Sequence, residues 1–380
     1  FPSTTLFRSR GLWSLYYHVV ASNYLFTDNI SGAVENAEKA TAIAEDTGIP
    51  LHKALNQVEL AQALHEAGDH LRAAREIAEA DNYFRKMGSP LFAFSCGLVK
   101  AYFAFDQGDE SAGRELLGKA MAFGRQKGFS FAPSFWRHRI WTLLCAKALD
   151  AGIEVGYVQG LVQKLGLVND APPEVENWPW PVKVRTLGKF EILLDGRPLQ
   201  TAGKAQRKPL QMLKAIIALG GSGVRNERLM DLLWPEADGD KALSAFTSAL
   251  SRLRRLIGND KAIETHEGTV SLNPGCCWVD AWACEKLLDR AEAGIKGAAD
   301  PDREIETMII RAEKLFNLYR GPFLSEEENG EWAVPLRERL RNRFCRFVIR
   351  AGSSLEAAEM PERAAECYHK ALERDDFVDE

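Results

Sequence analysis

The chain has 380 residues, of which 46% are hydrophobic and 27% are charged. This length predicts two or three domains, and the composition is that of a folded globular protein rather than a disordered one. The net charge of -5 excludes a chain that is basic overall, so a nucleic-acid-binding surface would have to be local. No apolar run reaches the roughly 18 residues that a membrane span needs.

The seven cysteines are scattered and odd in number, which favours the reducing cytoplasm over a disulfide framework. Cys276, Cys277 and Cys284 lie near His266, but their spacing matches no zinc pattern. We therefore expect free thiols, and neither a metal nor another cofactor.

The chain begins at Phe1 with FPSTTLFRSR, which lacks the order of charged, apolar and small residues of a signal peptide. The stretch TTLFRS resembles a sequencing adapter translated in frame. Residues 1 to about 9 are therefore expected to be an artefact, and the chain a fragment of a longer protein.

Residues 1–167 contain a repeat. Two series of residues keep a step of 40 positions, namely Gly48, Gly88 and Gly128, and Ala40, Ala80 and Ala120. Apolar residues at helical spacing, such as Leu60, Ala63 and Leu64, lie between these marks. A period of about 40 residues predicts a solenoid of stacked helix pairs, with a concave surface for a protein or a small ligand. An irregular helical bundle is the alternative.

A proline-rich segment follows the repeat. Residues 168–181 (VNDAPPEVENWPWP) contain four prolines, which cannot continue a helix and which stiffen the chain. We place a linker there and expect Trp178 and Trp180 to pack it onto a neighbouring domain.

Strands are predicted next. Residues 182–200 alternate apolar and polar side chains, and Asp195-Gly196 is a hairpin turn signal. Residues 261–275 (KAIETHEGTVSLNPG) predict a second hairpin, with its turn at Glu267-Gly268.

Three helices are predicted between these hairpins. The first begins with Pro209 as its first residue and ends at Gly220. The second has Asn226 as its N-cap and stops at Pro235, and the third runs over 240–257, capped by Asp240 and ended by Gly258.

The third helix has two different faces at about 100° per residue. One is apolar: Ala242, Ala245, Phe246, Ala249, Leu250, Leu253, Leu256 and Ile257. The other contains small hydroxyl residues and arginines: Ser244, Thr247, Ser248, Ser251, Arg252, Arg254 and Arg255. No acidic residue lies between Lys241 and Gly258. Such a face suits the DNA major groove, where arginine reaches guanine or phosphate. A solvated basic face is the alternative.

Further cations are candidates for phosphate contacts, namely Lys204, Arg207, Lys208 and Arg225. Residues 182–280 hold 15 Lys and Arg against 11 Asp and Glu, a local charge of +4 in a chain of -5. The charge distribution therefore agrees weakly with DNA binding.

The order of these elements, with LLWPE followed by SRLRRLIG, resembles the OmpR/PhoB-type winged helix, and above all its version in SARP-type (antibiotic regulatory protein) activators. The resemblance covers about 95 residues. It implies a recognition helix at 240–257 and a wing at 261–274, with Thr265 among the DNA contacts. The family usually has a Gly-Tyr-Arg-like strand and a basic residue near the wing turn, whereas this chain has THEGTVSL with Glu267. The resemblance therefore implies that the helix at 240–257, rather than the wing, makes the main contacts with DNA.

Residues 281–380 resemble the bacterial transcriptional activator domain, a tetratricopeptide-like helical array that breaks off here at Glu380. WVDAWACEKLL, LYRGPFL, EWAVPLRERLRNRF and AAECYHKALERDD support that resemblance. The N-terminal repeats are similar to the helical region of MalT-like regulators, although G-x-x-x-x-G-K-[ST] of an ATP-binding module is missing.

The expected fold is mainly α: a TPR-like helical-repeat region (1–167), a linker (168–181), a winged-helix α+β domain (182–280) and a truncated TPR-like helical domain (281–380). The chain has no H-E-x-x-H and no G-x-S-x-G, so we do not expect an enzyme. The expected function is that of a cytoplasmic transcription regulator that activates its targets. It would bind double-stranded DNA and contact RNA polymerase or other transcription proteins through its helical repeats. An oligomeric state is compatible with this function. The alternative is a protein-interaction scaffold whose winged helix no longer binds DNA.

Overall fold

The computed structural model describes residues 10–133, 137–170, 172, 174–200, 206–293, 301–327 and 330–375, with the backbone alone described at 169 and 301–304. Over these residues the chain is mainly helical, with fifteen α-helices and seven strands. It divides into two compact units, Phe1–Asp170 and Ala171–Glu380. Among the described helices, none combines the length and the apolar character needed to cross a membrane.

The first unit consists of antiparallel helix pairs. Its helices are α1 (Arg10–Phe26), α2 (Ile30–Thr47), α3 (Pro50–Glu66), α4 (His70–Lys86), α5 (Pro90–Asp106), α6 (Glu110–Lys127), α7 (His138–Asp150) and α8 (Val155–Lys164). Successive helices pack against each other, as the repeat predicts. The alanines Ala40, Ala80 and Ala120 are all buried, because the helices approach closely at these positions.

The period of 40 residues arises from two alternating kinds of helix start. Asn29, Asp69 and Asp109 accept a hydrogen bond from a backbone N–H in the first turns of α2, α4 and α6. The helices between them, α3 and α5, instead begin with Pro50 and Pro90. Each repeat therefore contains one side-chain-capped and one proline-started helix.

The core of the first unit also contains polar groups, which the apolar spacing did not predict. Asn56 is buried in α3 and donates to Ser14 Oγ and to the Ala40 carbonyl oxygen, both at 2.8 Å. Gln57 donates to the carboxylates of Glu76 at 3.0 Å and Glu79 at 2.7 Å. These hydrogen bonds offset the cost of removing the amides from water and tie α3 to its neighbours.

The second unit contains two sheets. The first has the order β3 (Arg197–Pro198), β2 (Glu191–Leu194), β1 (Val182–Arg185) and β7 (Cys277–Val279). β1 pairs antiparallel with β2 and parallel with β7. Asp195 and Gly196 have φ of 47° and 77°, which is the conformation of a tight two-residue hairpin turn and confirms that prediction.

The second sheet has the order β4 (Val224–Arg225), β6 (Thr269–Leu272) and β5 (Ile263–His266). β5 and β6 form a hairpin whose turn residues Glu267 and Gly268 have φ of 45° and 75°. The turn therefore lies where the sequence predicts it.

Three helices pack beside this sheet, namely α9 (Arg207–Ala218), α10 (Asn226–Leu233) and α11 (Gly239–Ile257). Their starts differ from the predictions. α10 begins at Asn226 with Arg225 in the cap position, and α11 begins at Gly239 after Asp238, and neither cap residue makes a side-chain hydrogen bond. Gly258 ends α11 in the left-handed conformation, as predicted.

The remaining helices are α12 (Asp280–Ala293), α13 (Pro301–Leu318), α14 (Val334–Ala357) and α15 (Pro361–Leu372). They share one hydrophobic core with α9–α11 and the sheets. The stretch LYRGPFL contains a Tyr-x-Gly-x-Phe-Leu motif at residues 319–324. This motif contacts the strand region, because Leu187 forms a β-bridge with Phe323 and Leu324 N–H donates to the Thr186 carbonyl oxygen at 2.8 Å. Residues 182–280 and 281–375 therefore do not have separate cores.

The proline-rich segment after Asp170 also belongs to the second unit. Val175, Trp178 and Trp180 are buried. Glu176 forms ion pairs with Arg185 at 2.7 Å and Arg320 at 3.2 Å. The described part of this segment after Pro173 is therefore held in the second unit by its buried tryptophans and by the ion pairs of Glu176.

Candidate nucleic-acid interface

The exposed face of α11 is the candidate site. Phe246, Leu250 and Leu253 are buried in the core of the second unit, and this orients the opposite side of the helix outward. Exposed on it are Ser244, Thr247, Ser248, Ser251, Arg252 and Arg255. From Ser244 to Arg255 this face extends roughly 16 Å along the helix axis.

The guanidinium groups of Arg252 and Arg255 are available to bind a ligand. Neither makes a hydrogen bond or an ion pair with the residues that the structure describes, and both side chains are exposed. The Thr247 hydroxyl instead makes a hydrogen bond within the helix, because it donates to the Leu243 carbonyl oxygen at 2.8 Å. The face thus offers two cationic groups and a row of small side chains.

Arg254 differs from its two neighbours. It is half-buried, and its Nη2 donates to Thr265 Oγ1 at 3.0 Å and to the Ile263 carbonyl oxygen at 3.3 Å. The guanidinium therefore connects the C-terminal turns of α11 to β5. Of the three arginines predicted on this face, Arg254 is therefore engaged within the protein, because the hairpin lies against this part of the helix.

The residues predicted to contact phosphate differ in whether the protein already engages their side chains. Lys208 donates to the Leu233 carbonyl oxygen at 2.7 Å and lies over the Trp234 ring at 5.4 Å, so it holds the C-terminus of α10. Arg207 at the start of α9 is exposed, as is Arg225 in β4. Lys204 lies outside the described residues.

The three-stranded sheet fixes the distance between Arg225 and Thr265. Arg225 pairs with Thr269 of β6, and Thr265 pairs with Val270 of the same strand. The two residues therefore lie on opposite edges of a three-stranded sheet, roughly 10 Å apart at two strand spacings.

Arg228 is a further exposed cation beside Arg225, although it is not among the predicted phosphate contacts. It is exposed in the first turn of α10 and has no hydrogen bond or ion pair with the described residues. Its position three residues after Arg225 was the available signal, since that spacing places two side chains on neighbouring positions of a helical turn.

The hairpin itself is acidic. Glu264 and Glu267 are exposed, and the strands β5 and β6 contain neither lysine nor arginine. Glu264 accepts a hydrogen bond from Asn273 at 2.8 Å, and Glu267 lies 4.0 Å from His266 across an exposed surface. Positive charge is therefore concentrated on the helices rather than on the hairpin.

The cysteines lie apart from this face. Burial raises the pKa of Cys277 to about 12, so its thiol stays protonated. No group of three or more His, Cys, Asp or Glu side chains in the described part of the chain has the arrangement of a metal site.

No family model and no curated protein matches the chain. Among solved structures, it is similar to the Rap conjugation gene regulator of the plasmid pLS20 in complex with the Phr* peptide. The TM-score is 0.32 and the identity 11%, over 93% of this chain and 81% of that one. A likeness this slight carries no argument about fold or function.

Proposed function

We propose that this chain is a DNA-binding transcription regulator and that residues 182–280 form its winged helix. The observation that carries the proposal is the exposed face of α11, where Arg252 and Arg255 have no partner among the described residues. Two arginines of α14 in the same unit are instead paired: Arg339 with Glu285, and Arg343 with Asp289, both at 2.7 Å. A face that keeps its cations free of acids suits a polyanion.

In this proposal α11 enters the major groove. Ser244, Ser248 and Ser251 allow the helix backbone to approach the bases, because their side chains are short. Arg252 and Arg255 reach phosphate oxygens or guanine edges. Arg254 acts as a positioning residue, since it already donates to the hairpin.

The surrounding cations hold the DNA backbone. Arg225 and Arg228 lie at the start of α10, where the first N–H groups lack a side-chain cap and can donate to a phosphate. Thr265 accepts the Arg254 hydrogen bond with its oxygen, and its own proton remains available to a phosphate oxygen. Arg207 extends the basic surface to α9. Lys208 supports α10 instead of contacting DNA.

The remaining parts would serve regulation. The helical repeats before Asp170 offer surfaces for RNA polymerase, another transcription protein or a further copy of the chain. Residues 281–375 fit the activator domain of SARP-type regulators, because their Tyr-x-Gly-x-Phe-Leu motif joins them to the DNA-binding part. We propose a cytoplasmic regulator without catalytic activity.

The test is DNA binding by Arg252→Ala/Arg255→Ala in the full chain, measured by fluorescence anisotropy with random duplex at low and moderate salt. Loss of two phosphate contacts should weaken binding and lower the salt slope by about 2, whereas contacts to bases would relax sequence preference. Urea unfolding should stay within about 0.5 kcal/mol of wild type, because both side chains are on the surface.

Arg346→Ala/Arg363→Ala is the matched control. It removes the same charge from exposed positions of α14 and α15, and its DNA affinity should equal that of the wild type. If the folded α11 variant binds as tightly as the control, the face is merely solvated and the proposal fails.

A second candidate is a protein-interaction scaffold, which the acidic hairpin favours. Exposed Glu264 and Glu267 would repel a phosphate backbone. This candidate predicts that the wild-type chain gives no electrophoretic shift of any duplex, even at low salt.

A further inference from the structure

The helix α1 exposes a largely apolar stripe. Its exposed residues on one side, within roughly 100° around the helix axis, are Leu12, Leu15, Tyr16, Val19, Asn23 and Phe26. Val19 is 59% exposed and Phe26 is 58% exposed. The stripe extends roughly 21 Å along the axis. An apolar stripe of this width is what a helix normally turns toward a neighbouring element.

The same stripe is buried in the corresponding helices of the next repeats. The helices α1, α3 and α5 begin at residues 10, 50 and 90, so steps of 40 relate their positions. Val19 corresponds to Glu59 of α3, which is 4% exposed, and to Val99 of α5, which is 0% exposed. The difference between α1 and the other two helices therefore lies in what covers the stripe.

In α3 and α5 the preceding helices cover it. Asn56 lies on the stripe of α3 and donates to Ser14 Oγ of α1 and to the Ala40 carbonyl oxygen of α2, both at 2.8 Å. Phe103 lies on the stripe of α5 and stacks on the His65 ring of α3, with the ring centroids 4.1 Å apart. The stripe is thus a helix-packing surface of this repeat, and in α1 no described helix lies against it.

Two copies of the α1 stripe match each other chemically. Residues 11–26 contain no Asp, Glu, Lys or Arg, so two such helices can meet without burying one of these charges. Trp13, Tyr16 and Tyr17 cluster, with ring centroids 5.3 to 6.0 Å apart, and aromatic side chains are enriched in protein interfaces. The helices α7 and α8 at the other end of the repeat region expose no large hydrophobic side chain. A second copy therefore finds its apolar match at α1 itself.

We propose that two copies of this chain associate through their α1 stripes, with two-fold symmetry. An interface that uses the same patch on both copies is closed, so the association stops at a dimer. Val19 lies in the middle of the stripe, and the two Val19 side chains of a dimer lie close to the symmetry axis. The interface uses no residue of α11, so the dimer forms whether or not the chain binds DNA.

Sedimentation velocity of the full chain over a concentration series is the test. We expect the wild type to form a discrete species of twice the 42.3 kDa chain mass. Val19→Glu and Val19→Lys each bring two like charges together at the axis and should weaken the dimer at least about tenfold. An equimolar mixture of the two variants should restore it, because a carboxylate of one copy then faces an ammonium group of the other.

Leu71→Glu is the matched control, since Leu71 is 85% exposed on α4, outside the stripe, and this variant should dimerise like the wild type. Tyr16→Ser removes apolar area without adding a charge and should also weaken the dimer. Far-ultraviolet circular dichroism verifies folding, which exposed positions such as these should preserve. The inference is wrong if the wild type stays monomeric, if the folded Val19 variants dimerise like Leu71→Glu, or if their mixture stays monomeric.

Discussion

Adjacent arginines of α11 have different roles because of where their side chains point. Arg252 and Arg255 are exposed without partners among the described residues, whereas Arg254 is half-buried against β5. One position along a helix rotates a side chain by about 100°, so it changes the surroundings entirely. The position of a side chain on its helix also sets its surroundings in the first unit, where Glu59 of α3 is buried.

Arg254→Ala should destabilise the second unit by about 1–2 kcal/mol, since it removes a charged donor from two oxygens of the hairpin. Urea unfolding of the full chain measures the loss, and hydrogen exchange should show faster exchange in β5 and β6. Arg252→Ala is the control and should change stability by less than about 0.5 kcal/mol. Equal stabilities of the two variants would show that the contacts of Arg254 contribute nothing.

Glu59 predicts a pH dependence for the first unit. Burial raises its pKa to about 7, above the ordinary value of 4.5, although a hydrogen bond with Ser22 and the charge of Arg137 oppose the shift. Between these pH values the folded chain holds a proton that the unfolded chain has released. The stability of this unit should therefore fall as pH rises from 4.5 to about 7 and then level off.

Glu59→Gln should remove this dependence, because the amide carries no charge at any of these pH values. At pH 8 we expect the α3 amides of the variant to be protected by about 2–3 kcal/mol more than those of the wild type, in hydrogen exchange corrected for intrinsic rates. The exposed Glu115→Gln should leave α3 protection unchanged. A wild type as stable at pH 8 as at pH 5 would contradict the raised pKa.

At the scale of elements, the repeats depend on how each helix begins. Asp69 and Asp109 accept hydrogen bonds from Arg72 N–H at 3.2 Å and Ala112 N–H at 2.9 Å. The alternate helices start with proline, which needs no cap at its own nitrogen. An alanine at the cap position should therefore destabilise the first kind of helix start and leave the second unchanged.

Asp69→Ala and Asp109→Ala should each cost about 1 kcal/mol, the usual value of a lost N-cap. Ser89→Ala is the matched control, since Ser89 occupies the cap position of α5 without a side-chain hydrogen bond. Thermal unfolding of the full chain compares the three variants. A loss for Ser89→Ala as large as for the aspartates would mean that helix starts of both kinds depend on the side chain.

At the scale of the whole molecule, the proline-rich segment and the C-terminal helices complete one unit around the sheets. Buried Asp280 shows this connection. Its carboxylate accepts from Thr186 N–H and Leu187 N–H at 2.7 and 2.9 Å and thereby joins the start of α12 to the end of β1. Burial raises the pKa of Asp280, whereas these hydrogen bonds lower it.

Limited proteolysis should therefore release a C-terminal fragment that begins before Val175, with Trp178 and Trp180 attached. Both tryptophans are buried in the second unit, and a protease needs exposed, locally unfolded backbone. Mass spectrometry of the early fragments locates the cut. Trp180→Ala should extend cleavage into 174–181. Early fragments that begin after Pro181 in the wild type would instead show that this segment is a free linker.

Local sequence patterns are sufficient to predict the periodic features of this protein. The step of 40 residues, the two hairpin turns and the two faces of α11 follow from local preferences and spacing, which act over a few residues. Tertiary structure decided the rest. Arg254 and Lys208 look like their neighbours in sequence, and only the approach of the hairpin and of α10 engages them. A cavity lined by Trp180, Trp278 and Trp282 likewise depends on α12 meeting a sheet from a distant part of the chain, and no local pattern encodes that meeting.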